Sequence, residues 1–215
     1  MQLLVTGGLG VLGRALLPLL EATGHEVSAP GPGELDLFDA GRVGAAVERV
    51  QGVYHLATHI PPADRMGDRE AWRENDRLRG VASRLLVDAA LAATVGTFVV
   101  PTVTFVYTAG DADESTPLGD VPAHLQSALA AEQEAARFAA SGRRGVVLRL
   151  GRLDGPGTGH DKANMRYGAT LSVVDAGSAL LAALDAPSGV YNVCRDGERV
   201  SNTRFTRATS WRPSR

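Results

Sequence analysis

Between Leu3 and Leu20 the chain sets a strand, a glycine turn and a helix end to end, and that order constrains everything after it. The segment reads Met1-Gln-Leu-Leu-Val-Thr-Gly-Gly-Leu-Gly-Val-Leu-Gly-Arg14. Leu3–Val5 is a short apolar run of the kind that forms a buried strand. Gly7, Gly10 and Gly13 follow at even spacing, and Ala15, Leu16, Leu19 and Leu20 then recur at helical spacing. A glycine pattern alone says little in a chain with 25 glycines. Its position after a strand and before a helix carries the weight. Glycine permits the tight turn, lets the main chain approach a pyrophosphate, and lets the helix pack on the strand, while the helix N-terminus points free N–H groups at the anion. The segment suits the first phosphate-binding turn of a Rossmann-type sheet.

The remaining 200 or so residues repeat the alternation of short apolar runs with longer helical patterns, which is the signature of a parallel α/β sheet. Strands are predicted at Leu3–Val5, His25–Ala29, Gly52–Ala57, Thr97–Val100, Gly145–Leu150 and Gly189–Val193. Helices are predicted over Val11–Thr23 (capped by Gly24), Asp39–Val50, Ala71–Ala93, Ala123–Ser141 (ended by Gly142) and Asp175–Leu184, with Pro30–Gly33 as a turn. The predicted fold class is α/β. It is a doubly wound parallel sheet forming one Rossmann-fold domain over 1–215, with a reduced C-terminal substrate-facing lobe drawn mainly from 154–172 and 194–215. Thr58–Arg69 and Asp154–Thr170 take no regular element. Both follow strands, and in an open α/β sheet such loops line the ligand crevice.

Composition bounds the alternatives. A length of 215 residues with 44% hydrophobic and 5% aromatic residues allows one Ala/Val/Leu-rich core. A formal net charge of -2 gives no reason to expect a nucleic-acid or membrane partner, and Arg204, Arg207, Arg212 and Arg215 read as a solvated end. The single cysteine, Cys194, lies in a predicted strand and reads as core. One cysteine permits no intrachain disulfide, which fits a cytoplasmic location. No signal-peptide pattern or membrane-length apolar run is present, and no His/Cys/Asp/Glu spacing suggests a metal site.

Several motifs, in order along nearly the whole chain, resemble the extended and atypical short-chain dehydrogenases/reductases of the NAD(P)-dependent epimerase/dehydratase type. Thr6-Gly-Gly-Leu-Gly-Val-Leu-Gly13 is similar to that family's TGxxGxxG loop, and Glu34-Leu-Asp36-Leu37 to its Asp-Leu pair beside the adenine. His55-Leu-Ala57 resembles the strand motif near the cofactor ribose. Arg149-Leu-Gly-Arg-Leu-Asp-Gly155-Pro156-Gly157 resembles the stretch that leads into the substrate region, and Val173-Val-Asp175-Ala and Val190-Tyr-Asn-Val193 resemble later landmarks. The resemblance implies NADP or NAD as cofactor, held by Gly7, Gly10, Val11, Leu12, Gly13, Arg14, Asp36, Leu37, Leu56 and Ala57. It also implies a small-molecule substrate and a homodimer paired through the Ala71–Ala93 and Ala123–Ser141 helices.

The chain departs from the family where the chemistry sits. The family uses a Tyr as acid/base, a Lys four residues later that lowers its pKa, and a Ser or Thr that orients a carbonyl. In register, His124 stands at the Tyr and Ala128 at the Lys, with Ser127 and Glu132 keeping the surrounding pattern. Lys162 is the only lysine, and Thr158 precedes it by four. The hydroxyl position falls near Val103, with Thr102 and Thr104 on either side. An imidazole exchanges protons near neutrality without a lysine, so His124 is the candidate acid/base and Thr102 or Thr104 the candidate hydroxyl. Three readings stay open: a rewired redox site, non-redox isomerase, cyclase or lyase chemistry on the same fold, and a silent nucleotide-binding or partner protein. His59, Tyr107, His160 and Tyr167 are candidate substrate contacts. His55 lies inside an apolar strand and reads as a satisfied core histidine. Strand two ends Ser28-Ala29-Pro30-Gly31 without an acid for a ribose 2′-hydroxyl, and Arg14 follows Gly13, which tilts the cofactor expectation toward NADP. Only about 15 residues separate Gly157 from Val173, so the crevice is expected to be open or completed by a partner subunit.

Overall fold

The computed structural model describes residues 1–108, 110–159 and 169–214. Six strands form one sheet: β1 (Gln2–Thr6), β2 (Glu26–Ser28), β3 (Gly52–His55), β4 (Thr97–Val103), β5 (Arg144–Leu150) and, last in the sheet, β8 (Gly189–Val193). The order is β2-β1-β3-β4-β5-β8, and every pairing is parallel. The chain winds outward in both directions from β1 and β3, so the switch point of a doubly wound sheet lies between those two strands.

The strands read as continuous apolar runs because both faces are covered. Their side chains alternate between two cores. Leu3, Val5, Tyr54, Val99, Leu148 and Leu150 face α1 (Val11–Ala22) and α6 (Val173–Ala182), together with Phe205 and Trp211. Leu4, Val53, Phe98, Val100 and Val147 face α2 (Ala40–Val47), α4 (Ser83–Ala92) and α5 (Gln126–Ala140). The α2 helix starts where Asp39 accepts the Gly41 and Arg42 N–H groups at 2.9 and 3.0 Å. Tyr54 donates to the Leu180 carbonyl at 2.7 Å and so ties β3 to α6 through the first core.

The predicted Ala71–Ala93 helix is broken into segments. α3 (Arg73–Arg77) runs into a π-helical turn at Leu78–Ala82 and continues as α4. Strand β4 continues past the predicted Val100 to Val103. Beyond Val99 it pairs with β5 alone, so Pro101 sits on a free edge and costs no ladder bond toward β3. The segment 154–170, unassigned in sequence, is bracketed by β6 (Arg152–Asp154) and β7 (Thr170–Ser172), which pair in parallel as a separate small sheet. Three-residue strands fall below the length at which periodicity is readable. Arg195 clamps this sheet, donating to Asp154 at 2.5 and 2.9 Å and to Thr170 at 2.7 Å, while Glu198 accepts from the Thr170 N–H and hydroxyl. A final helix, α7 (Thr203–Thr209), brings Phe205 into the first core. Cys194 is buried, as expected, and burial pushes its thiol up to about 12. Among the described residues no helix is long and apolar enough to cross a membrane.

Candidate active site

A cleft of about 1310 Å³ opens at the carboxyl ends of β1, β3, β4 and β5, at the switch point of the sheet. One end is a glycine cradle. Gly7 has φ +75, and a Cβ there would lie 2.6 Å from the Ala57 amide nitrogen and 2.7 Å from the Leu56 carbonyl carbon. Only glycine combines that dihedral with that approach, so the β1–α1 loop lies directly against the end of β3. Thr6 and His55 join the same two strand ends side chain to side chain at 2.7 Å. Gly10 begins α1 without any side-chain hydrogen bond capping it. The first N–H groups of that helix, at Val11 and Leu12, are therefore unclaimed by side chains where the helix meets the cleft. Gly13 does not line the cleft. It is a packing glycine: a Cβ there would lie 2.2 Å from the Gly8 carbonyl oxygen. Asp36, Leu37, Leu56 and Ala57 all line the cleft, and Asp36 accepts the Phe38 N–H at 2.9 Å. Arg14 is exposed and does not line it.

The other end holds the departures from the family pattern. His124 lies in a 3₁₀ turn, Ala123–Leu125, just before α5. Its ring stacks against Trp72 at 5.2 Å, tilted by 41°, and both residues line the cleft. Trp72 is itself fixed, donating to the Met66 carbonyl at 2.9 Å. Ala128 lines the cleft beside Ser127, whose hydroxyl oxygen is buried and has no hydrogen-bond partner among the described residues.

The two candidate threonines occupy different places. Thr104 is buried and does not line the cleft; Val103 and Phe105 do. Thr102 lines it, but its hydroxyl donates to Glu132 at 2.8 Å. Glu132 in turn accepts from Arg149 at 2.9 and 2.6 Å, Arg149 donates to the Tyr107 hydroxyl at 2.8 Å, and Tyr107 donates to the Asn192 side-chain carbonyl at 2.9 Å. Tyr107 thus belongs to a buried network under the cleft and not to its wall, and burial raises its pKa. Among the described residues, the cleft-lining residue at this end with a buried hydroxyl left unpartnered is Ser127.

His59 is exposed at the cleft rim, with its N–H donating to the Asn75 side chain at 3.2 Å. His160 and Tyr167 lie outside the described residues. His55 is a core histidine, held between Thr6 and the Leu78 carbonyl at 3.0 Å, and burial lowers its pKa to about 4.

The sequence reading missed Arg79. It sits in the π-turn, is buried, lines the cleft, and donates to the Pro101 carbonyl at 3.2 Å. A signal existed. Trp72, Asn75, Arg79, Ala82, Leu86 and Ala90 recur at helical spacing on a buried stripe, so a polar and a charged residue stand on the inward face.

The sequence profile of the NAD dependent epimerase/dehydratase family matches residues 3–182. A 3-diazoavenalumate denitrifying reductase from a Streptomyces species is 33% identical over 185 residues, covering 74% of this chain and 59% of the relative. The human epimerase family protein SDR39U1 is 28% identical over 173 residues, covering 74% of this chain and 57% of that protein. The chain therefore spans less than two thirds of the length of these relatives. Among solved structures, RMD from Pseudomonas aeruginosa complexed with NADPH superposes with a TM-score of 0.77 at 23% identity, covering 100% of this chain and 95% of the other. A short-chain dehydrogenase/reductase superfamily protein from Agrobacterium tumefaciens with bound NAD superposes with a TM-score of 0.81 at 18% identity, covering 100% and 93%. These two likenesses show the fold.

Proposed function

Because the chain belongs to the NAD dependent epimerase/dehydratase family, we propose that it binds a nicotinamide dinucleotide in this cleft and acts as an oxidoreductase or epimerase-like enzyme on a small organic molecule. The observation that carries the reading is the seating of Gly7 on the backbone of Leu56 and Ala57, beside an α1 N-terminus that no side chain caps. These features fit a pyrophosphate: the loop leaves no room for a side chain, and the helix end presents free donors. Gly10, Val11 and Leu12 would hold the pyrophosphate, Asp36 and Leu37 the adenine side, and Leu56 and Ala57 the ribose. When bound, the nicotinamide supplies hydride transfer. The protein's own part is to orient the substrate and move a proton. His124 is the group for the proton, positioned by the Trp72 ring. Glu132 holds the Thr102 hydroxyl in place in the same cleft. The 33% identical relative is named a reductase, which supports the oxidoreductase side of the proposal.

Two observations bear on the choice of dinucleotide. Neither Arg14 nor Glu34 lines the cleft, but the Glu34 carboxylate accepts the Gly31 N–H at 2.7 Å and so braces the turn after β2 that does. A carboxylate beside the turn after β2 favours a ribose hydroxyl over a 2′-phosphate, so the proposal moves from NADP to NAD. Titration with NADH and NADPH by fluorescence tests it: NADH is expected to bind more tightly, and binding of neither at millimolar concentration overturns the proposal. Non-redox isomerase, cyclase or lyase chemistry is the second reading. It is favoured by Ala128 and Val103 at the cleft wall, where the family pattern has Lys and a hydroxyl. Conversion of substrate with no change in cofactor absorbance would select it. Pairing of two copies through the Ala71–Ala93 and Ala123–Ser141 segments belongs to the same proposal, and sedimentation equilibrium checks it.

A further inference from the structure

Arg79 is 8% exposed and lines the cleft, and among the described residues only one of its nitrogens, Nη1, has a hydrogen-bond partner. Among the described residues no carboxylate lies within the 4.0 Å of an ion pair with it. The acid whose charge acts on it, Glu132, is bonded to Arg149 through both carboxylate oxygens. Two buried guanidinium groups therefore share one carboxylate, which leaves a surplus positive charge below the substrate end of the cleft. A buried charge without a counterion is costly, and a site that holds one is completed by an anion. Position agrees with this. Glu132 stands one turn beyond Ala128 on the same face of α5, α5 packs on the π-turn, and Arg79 and Ala128 line the same cleft. Ser127, next to Ala128, adds a second group without a partner among the described residues: its hydroxyl is buried, and the residue lines the cleft. π-Turns within α-helices recur at functional sites.

We propose that Arg79, with the Ser127 hydroxyl, forms an anion-binding subsite at the substrate end of the cleft, and that the substrate carries a carboxylate that docks there. The proposal rests on the cleft being the substrate site. The guanidinium presents Nε and Nη2 to a carboxylate, and Ser127 donates its proton to the same group. The flat rings of Trp72 and Phe105 line the same cleft, which selects a planar conjugated acid as probe.

The experiment is calorimetric titration of the full chain with cinnamate and with cinnamamide, each with and without NADH. The acid is expected to bind roughly ten- to a hundredfold more tightly than the neutral amide, the range of one charge-assisted hydrogen bond. Arg79→Gln should abolish that preference, and Arg79→Lys should keep part of it. NADH binding should be unchanged in both variants. Equal binding of acid and amide, no binding of the acid at millimolar concentration, or a preference that survives in Arg79→Gln would overturn the proposal. If Arg79→Gln does not fold, the acid–amide comparison on the unsubstituted chain and on Arg79→Lys decides. Failure of NADH to bind would instead strike the proposed function, and the cinnamate comparison without NADH can still be read.

Discussion

Lowering the pH should destabilise this protein well above the carboxylate range, through His55. The ring is 2% exposed, between the Thr6 hydroxyl at 2.7 Å and the Leu78 carbonyl at 3.0 Å, and burial holds its pKa at about 4. In the unfolded chain the same histidine takes a proton near pH 6.5. Between those values the unfolded state binds more protons than the folded state, so stability falls as pH falls. The contribution is fully present above the unfolded pKa, declines through the window, and is gone below the folded one. The whole window corresponds to about 3 kcal/mol, and about 2 kcal/mol of it is lost by roughly pH 5. Urea denaturation midpoints at roughly pH 7 and pH 5 measure this. His55→Gln keeps a side chain that can bond to Thr6 but removes the titration, so its two midpoints should lie much closer together than those of the unsubstituted protein. An equal drop in both proteins would refute the argument that burial of this ring sets the acid limit of the fold.

Four further outcomes follow from the packing. Glu132→Ala leaves Arg149 buried beside an unpaired Thr102, and should cost about 3–5 kcal/mol in urea unfolding. Gly7→Ala should cost about 2–4 kcal/mol, from the left-handed dihedral and the overlap with Leu56 and Ala57, and abolish NADH fluorescence enhancement. Gly44→Ala in α2, where a Cβ meets nothing within 4 Å, should instead raise stability by about 0.5–1 kcal/mol. His124→Phe preserves a ring against Trp72 and should leave the melting temperature nearly unchanged while lowering turnover at least tenfold; unchanged turnover would remove His124 from the reaction.

The cofactor half of the site was legible because it is local. Gly7, Gly10 and the apolar residues on either side lie within one strand–turn–helix, and their meaning does not depend on distant contacts. The catalytic half is not local. Thr102 and Thr104 are equivalent on paper, and only the third dimension commits Thr102 to Glu132 and takes Thr104 out of the cleft. Tyr107 bonds to Asn192, a residue 85 positions away. The π-turn at Leu78–Ala82 leaves no mark in periodicity, since the stripe on either side remains helical, and it is the π-turn that carries Arg79. β6 and β7 are set by the Arg195 clamp, a contact 41 residues along the chain from Asp154.

The contact at Gly7 also limits how the sequence can change over time. The atoms that exclude a Cβ there belong to the backbone of Leu56 and Ala57, which every substitution leaves in place. No second-site change at those positions can make room, so a suppressor selection on Gly7→Ala should return only reversion. Gly52 is different: the nearest obstacle to a Cβ is the Leu3 Cδ2 at 2.9 Å, a side-chain atom that a smaller residue at position 3 removes. The two glycines thus differ in kind, one fixed by the main chain and one free to drift together with its neighbour.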